Sequence, residues 1–254
     1  MKTKEMEELN ELALFAGVGG GILGGKLLGW RTACAVEIEP YAIACLAQRQ
    51  NDGVLETFPI WDDVCTFDGR PWNGLIDVVS GGFPCQDISP ARTNSGKQGQ
   101  GLSGKKSGLW REMYRIVCEV NPPVVLVENS AHLRSKGLDT ILKDLANAGY
   151  NAKWGVFSAK EIGANHERKR MFILAYSNST QLKRGGISSR GKKEVAHACM
   201  DSWWENKSSI HRVVDGTPHR VDRLKAIGNG QVPGVVKAAW KTLLADSLAI
   251  NKGG

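Results

Sequence analysis

The chain predicts an α/β fold, a doubly wound and mostly parallel sheet with a small irregular basic insert. Strand-length apolar runs alternate with stretches of helical period through residue 176, and strand, helix, strand in that order builds a parallel sheet covered on both faces. The pattern then breaks over residues 177–221, where Lys, Arg, Ser and Gly dominate, before an apolar helical stripe returns. The predicted units are therefore 1–176 as the α/β body, 177–221 as the insert, and 222–254 as a segment that returns to the body.

Each element has its own signal. "LALFAG" (12 to 17) reads as the first strand, and "TACAVEIE" (32 to 39) as the second. Between them Gly19, Gly21 and Gly24 satisfy G-x-G-x-x-G, and Glu37 stands at the end of the second strand, where a dinucleotide fold keeps its ribose-binding acid. Glycines let backbone approach a ligand, and a carboxylate accepts hydrogen bonds from both ribose hydroxyls. "PYAIACLAQRQN" has helical period, and "LIDVVSGG" (75 to 82) is a strand followed by Pro84, Cys85 and a polar loop over residues 86–108. "GLWREMYRIVCEVNPP" is a helix halted by Pro122 and Pro123. "PVVLVEN" (123 to 129) and "RMFILAYS" (170 to 177) are strands flanking the helix "SKGLDTILKDLANAGY", which Gly149 caps. Val235, Val236, Ala239, Trp240, Leu243, Leu244 and Leu248 form the apolar stripe of a closing helix.

Composition narrows the class. With 254 residues, 42% hydrophobic and 23% charged, the chain buries a full core and is neither disordered nor a coiled coil. The net charge of +7 favours a polyanionic partner. No apolar run is long enough for a signal peptide or a membrane span, so a soluble cytoplasmic protein without membrane contact is expected. Six scattered cysteines (34, 45, 65, 85, 118, 199) form neither a metal-ligand pattern nor a disulfide framework, so no metal is expected and most thiols should be buried.

Ligands of an open parallel sheet sit beyond the carboxyl ends of its strands. The glycine turn, Cys85, and Glu128 with Asn129 share that rim. If "RMFILAYS" runs antiparallel, Arg168 and Arg170 reach it too, on one side of the strand. Pro84 fixes the approach to Cys85, and the glycine- and serine-rich residues behind it read as a lid that touches phosphate. Glu128, preceded by buried valines, sits where desolvation raises its pKa, so that a protonated carboxyl can donate to a ring nitrogen.

"FAGVGG", "EIEPYA", "GGFPCQDIS", "VENS", "ERKR" and "AIGNGQVP" stand in the order and approximate spacing of the cytosine-C5 DNA methyltransferases, the Dcm-like family, which the chain resembles from Phe15 to Val232 apart from the insert. The ending "HRVVDGTPHRVDRLKAIGNGQVP" is similar to phage and prophage members. The resemblance implies a Rossmann-like sheet that binds S-adenosyl-L-methionine and a monomer acting on double-stranded DNA. It implies that the Cys85 thiolate attacks C6 of a flipped-out cytosine while Glu128 holds or protonates N3. C5 then takes the methyl group, loses its proton, and the thiolate leaves. Arg168, with Arg170 beside it, would bind the flipped base or its phosphate. Phe15, Gly17, Gly19, Gly20 and Pro84 would line the cofactor, Glu37 its ribose, Ile38 and Asp63 (or Asp62) its adenine, and Asn229 its methionine end.

Ser130 and His166 depart from the valine and glutamine of many relatives without removing a chemical role. Residues 177–221 are short for a recognition domain. Lys183, Arg184, Arg190, Lys192 and Lys193 suit phosphate contacts, with few side chains left for base edges. An RNA cytosine methyltransferase, a non-catalytic DNA-binding relative and a nicotinamide-dependent dehydrogenase are the competing readings.

Overall fold

The computed structural model describes residues 8–84, 108–177, 221–222, 226, 228 and 230–250. Cys85, Asn229, most of the loop after Cys85, nearly all of the basic insert and the side chain of Leu248 lie outside the described residues.

Seven strands form one sheet in the order β3-β2-β1-β4-β5-β7-β6, built from β1 (Leu9–Leu14), β2 (Trp30–Val36), β3 (Ile60–Trp61), β4 (Val78–Gly81), β5 (Val124–Ser130), β6 (Tyr150–Ser158) and β7 (Lys169–Ser177). The first five run parallel, and β7 lies antiparallel between β5 and β6. The helices are α1 (Gly20–Lys26), α2 (Pro40–Asn51), α3 (Leu109–Val120), the single turn α4 (Leu133–Lys136), α5 (Leu138–Asn147) and α6 (Pro233–Ile250).

Two strands escape the sequence reading. β3 has only two residues, too few to show a period. β6 is a sheet edge paired on one side, so between its buried ends Tyr150 and Ser158 the residues are half-buried or exposed, Lys153 and Trp154 among them, and no regular apolar pattern marks it. The first strand also ends earlier than "LALFAG" suggests: after Leu14 the backbone turns, with Phe15 at φ 53° and Gly17 at φ 55°. α3 stops as its prolines predict, with Asn121 in the left-handed region at φ 48°.

The sheet is covered on both faces, and the period of two decides which residues go where. Leu12, Leu14, Val79, Val125, Val127, Met171 and Ile173 pack under α3, α4 and α5 with Met113, Ile116, Ile141 and Leu145. Val78, Val124, Leu126, Phe172 and Leu174 face the other way, against Val235, Val236, Ala239, Trp240 and Leu243 of α6. Ile22, Ala35 and Leu46 close a third cluster under α1 and α2. Glu11 is buried in the middle of β1, accepting hydrogen bonds from Ser80 Oγ of β4 (2.6 Å) and Thr32 Oγ1 of β2 (3.1 Å). Burial pushes its carboxyl up to about 7, against the pull of those two hydroxyls.

The described cysteines divide differently from the expectation of mostly buried thiols. Cys34 is buried, Cys45 is half-buried, and Cys65 and Cys118 are exposed, because one lies in a surface loop and the other on the outer side of α3. All four are free. Among the described residues there is no cluster of His, Cys, Asp or Glu able to hold a metal ion, and no helix long and apolar enough to cross a membrane.

α6 lies so close to α1 that Gly24 has no room for a side chain: a Cβ there would stand 2.6 Å from Val236 Cβ. Gly24→Ala is therefore expected to destabilise the chain in urea unfolding by about 1–2 kcal/mol despite the better helix former. In a double-mutant cycle Val236→Gly, which removes that Cβ, recovers about half of that loss. Strict additivity of the two changes would show that the helices do not meet there.

Candidate active site

The carboxyl ends of β1, β2, β4 and β5 form one rim, and β7, running the other way, delivers its first residues to it. At the end of β1, Phe15 adopts a positive φ that is costly for an aromatic residue, and Gly17 (φ 55°) and Gly19 (φ 86°) complete the turn. The Glu37 carboxylate closes this turn, accepting the Gly17 N–H on Oε2 (2.6 Å) and the Glu39 N–H on Oε1 (2.8 Å). Each oxygen keeps a further lone pair for a ligand hydroxyl. Arg49 of α2 holds the turn from behind through the Val18 carbonyl.

Beyond Glu37 lies an apolar step. Ile38 is 63% exposed, and Trp61 of β3, whose carbonyl accepts the Glu37 N–H, is 45% exposed. Of the two aspartates that follow, Asp62 is exposed, whereas Asp63 is half-buried and its Oδ1 accepts the Cys65 N–H at 2.9 Å. Arg115 of α3 pins this loop by donating to the carbonyls of Val64 (2.9 Å) and Phe67 (3.0 Å) while paired with Glu112 and Glu119. Neither Trp61 nor Arg115 stood out in the sequence: one sits in a two-residue strand and the other among ordinary helix-surface charges.

The approach to Cys85 is fixed from one side. Phe83 is buried against Trp110, with ring centroids 5.7 Å apart, and its carbonyl accepts Asn129 Nδ2 at 3.2 Å. Pro84 follows, exposed. Phe83 is thus anchored two residues before the cysteine, which itself lies outside the described residues.

Glu128 lies on the α6 face of β5, in phase with Val124 and Leu126, and is 7% exposed. Arg170 pairs with Ser130 in the β5–β7 register, and its Nε reaches Glu128 Oε1 at 2.9 Å. Burial pushes the Glu128 carboxyl up to about 7, against the opposing pull of Arg170, Arg168 and a hydrogen bond from Gln231. Near neutral pH the group is thus both a usable acid and a usable carboxylate. Arg168 comes to the same corner, but its Nη2 donates to the carbonyls of Gly228 (2.8 Å) and Gly230 (2.6 Å), so one edge of the guanidinium holds the segment leading into α6. Its Nε is buried without a partner.

The glycines also divide. Gly17 and Gly19 supply positive φ, whereas a Cβ on Gly20 would overlap the Gln231 carbonyl and one on Gly21 would stand 2.6 Å from Gln231 Oε1. Part of the glycine run therefore admits the chain's own C-terminal segment, where the sequence suggested a ligand or a tight turn.

This sheet order with one reversed strand, a glycine turn closed by an acid and a second acid at the end of β5 define a Rossmann-like methyltransferase fold. The fold neighbours agree: Schizosaccharomyces pombe Dnmt2 methyltransferase aligns at TM-score 0.53 and 22% identity over 68% of this chain and 51% of that one. A protein encoded within an Escherichia coli prophage, described as a DNA modification methyltransferase, aligns at TM-score 0.54 and 26% identity over 68% of this chain and 47% of that one. Residues 9–245 match the family of C-5 cytosine-specific DNA methylases, and the chain belongs to it. It is 29% identical to the Type II methyltransferase M.CviJI of Paramecium bursaria Chlorella virus IL3A over 94% of this chain and 64% of that protein. It is 30% identical to M.Sau3AI of Staphylococcus aureus over 76% and 49% respectively. The chain spans less than two thirds of the length of these relatives.

The Glu128–Arg170 pair has a pH signature. Below about pH 4.5 Glu128 is protonated folded and unfolded; as pH rises toward 7 only the unfolded chain ionises, so stability is lost over that window. Arg170→Met removes the main group favouring the carboxylate and extends the loss to higher pH. Its deficit relative to wild type should be small at pH 5 and grow to about 1–2 kcal/mol by pH 8, allowing for the partial exposure of Arg170. Urea titrations at both pH values check this; a deficit that does not depend on pH contradicts it.

Proposed function

We propose that this chain transfers a methyl group from S-adenosyl-L-methionine to C5 of a flipped-out cytosine in double-stranded DNA. The observation that carries the reading is Glu128: a carboxyl at a strand end, raised to about 7, with Arg170 beside it and the Phe83–Pro84 approach to Cys85 fixed by its neighbour Asn129.

The residues present suit the cofactor. The Glu37 carboxylate has lone pairs to spare for a ribose, the turn leaves open space beside Gly17, and Ile38 with Trp61 offers an apolar wall for a purine next to Asp63. When bound, S-adenosylmethionine supplies a methyl carbon on a positively charged sulfur. The Cys85 thiolate adds to C6, and Glu128 in its protonated state donates to N3, so that electron density moves to C5. After C5 has gained the methyl group and lost its proton to water, the C6–S bond breaks, the thiolate returns, and N3 gives its proton back to Glu128. Arg170 keeps Glu128 oriented through both transfers. Residues 177–221, with Lys183, Arg184, Arg190, Lys192 and Lys193, would supply phosphate contacts to DNA.

Incubated with S-adenosylmethionine and duplex DNA carrying 5-fluorocytosine, the full chain is expected to form a denaturation-resistant adduct, and Cys85→Ser none. Fluorine at C5 cannot leave as a proton does, so the thioether is trapped. An adduct in the variant, or methylation of transfer RNA with none of DNA, would overturn the reading.

A further inference from the structure

Gln231 lies at a crossing of three elements. Its backbone carbonyl rests against Gly20 and its Oε1 against Gly21, at the start of α1. Its Nε2 converges with Glu128 Oε2 on Gly82, just beyond β4: a Cβ there would stand 2.9 Å from the first and 2.6 Å from the second. The carboxamide therefore lies beside the Glu128 carboxyl and favours its ionised form, as a donor does. An ionised carboxylate only accepts, so Nε2 is the donor.

Glu128 is thus gripped from two sides, by Arg170 Nε on Oε1 at 2.9 Å and by Gln231 next to Oε2. The terminal torsion of a glutamate is broad, and a single contact leaves the carboxyl free to turn. Two contacts on different oxygens fix its plane. The segment that carries Gln231 is itself held, because Arg168 grips the Gly228 and Gly230 carbonyls. The charged groups facing Glu128 are Arg170 and Arg168, both from the β7 side. Gln231 adds a donor without adding charge. A lysine in its place would hold Glu128 ionised, whereas an amide orients the carboxyl and lets it change protonation.

We propose that Gln231 is a positioning residue for methyl transfer, fixing the Glu128 carboxyl from the side opposite Arg170 and tying it to the start of α1. The proposal rests on the methyltransferase reading for its kinetic consequence but not for the contact itself. Gln231→Met keeps the size and removes the donor. In the full chain it should lower kcat on duplex DNA about tenfold or more, with S-adenosylmethionine affinity by calorimetry within about threefold of wild type. Loss of affinity in proportion to kcat would indicate a merely structural wedge and overturn the proposal, as would an unchanged kcat.

The contact is read without turnover from the side-chain amide signals of Gln231 in 15N-glutamine-labelled wild type, assigned by their absence in Gln231→Met or, should that variant not fold, in Gln231→Glu. These signals should shift with pH as Glu128 ionises, and the shift should vanish in Glu128→Gln. PH-invariant signals would overturn the proposal even in an active enzyme. A wild type without methyltransferase activity but with titrating signals would sink the functional reading and leave the contact standing.

Discussion

The direction of one strand governs this site. Had β7 run parallel to β5, its basic entrance would lie at the far edge of the sheet, and Glu128 would be a buried acid with no cation. Because β7 is reversed, Arg170 meets Ser130 in register and its guanidinium lies against the Glu128 carboxyl. Burial raises the pKa of that carboxyl, and the guanidinium restrains the rise. The balance keeps the group near neutral, where it can hold a proton or release one.

A second constraint comes from the far end of the chain. The segment leading into α6 fits between α1 and the ends of β4 and β5 only because Gly20, Gly21, Gly24 and Gly82 carry no side chains. Gly82 belongs to the pair that precedes the cysteine loop and Gly20 opens α1 directly after the turn closed by Glu37, so the two halves of the site meet through Gln231, 211 positions after Gly20 and 149 after Gly82. Edge contact between Trp30 and Trp240, with centroids 4.6 Å apart, and the apolar face of α6 hold that closure. Arg168 belongs with this closure, since its guanidinium joins the entrance of β7 to the carbonyls before Gln231.

Much of this was legible in the sequence. Apolar runs marked β1, β2, β4, β5 and β7, and the alternation in "ERKR" placed Arg168 and Arg170 at one corner once β7 was taken as antiparallel. The burial of Glu128 followed from the valines before it. What escaped did so for physical reasons. β6 is an edge whose residues answer to one neighbour and to water, so its pattern is blurred. Gln231 is an uncharged polar residue in a loop, and its meaning depends on Gly21 and Gly82, which no local pattern connects to it. Glu11 resembles a surface acid in sequence and is buried only because Ser80 and Thr32 come to it from neighbouring strands. The residues between Pro84 and Gly108, and the basic insert, lie outside the described structure.

The central claim is that burial and Arg170 together set the proton affinity of Glu128. Its most direct test is a pH titration of the Glu128 side-chain carboxyl carbon in 13C-glutamate-labelled wild type, assigned by loss of the signal in Glu128→Gln. The account predicts a midpoint near 7, well above the ordinary glutamate value of 4.5. A midpoint at the ordinary value would mean that water reaches the carboxyl in solution and that the grip described here does not form.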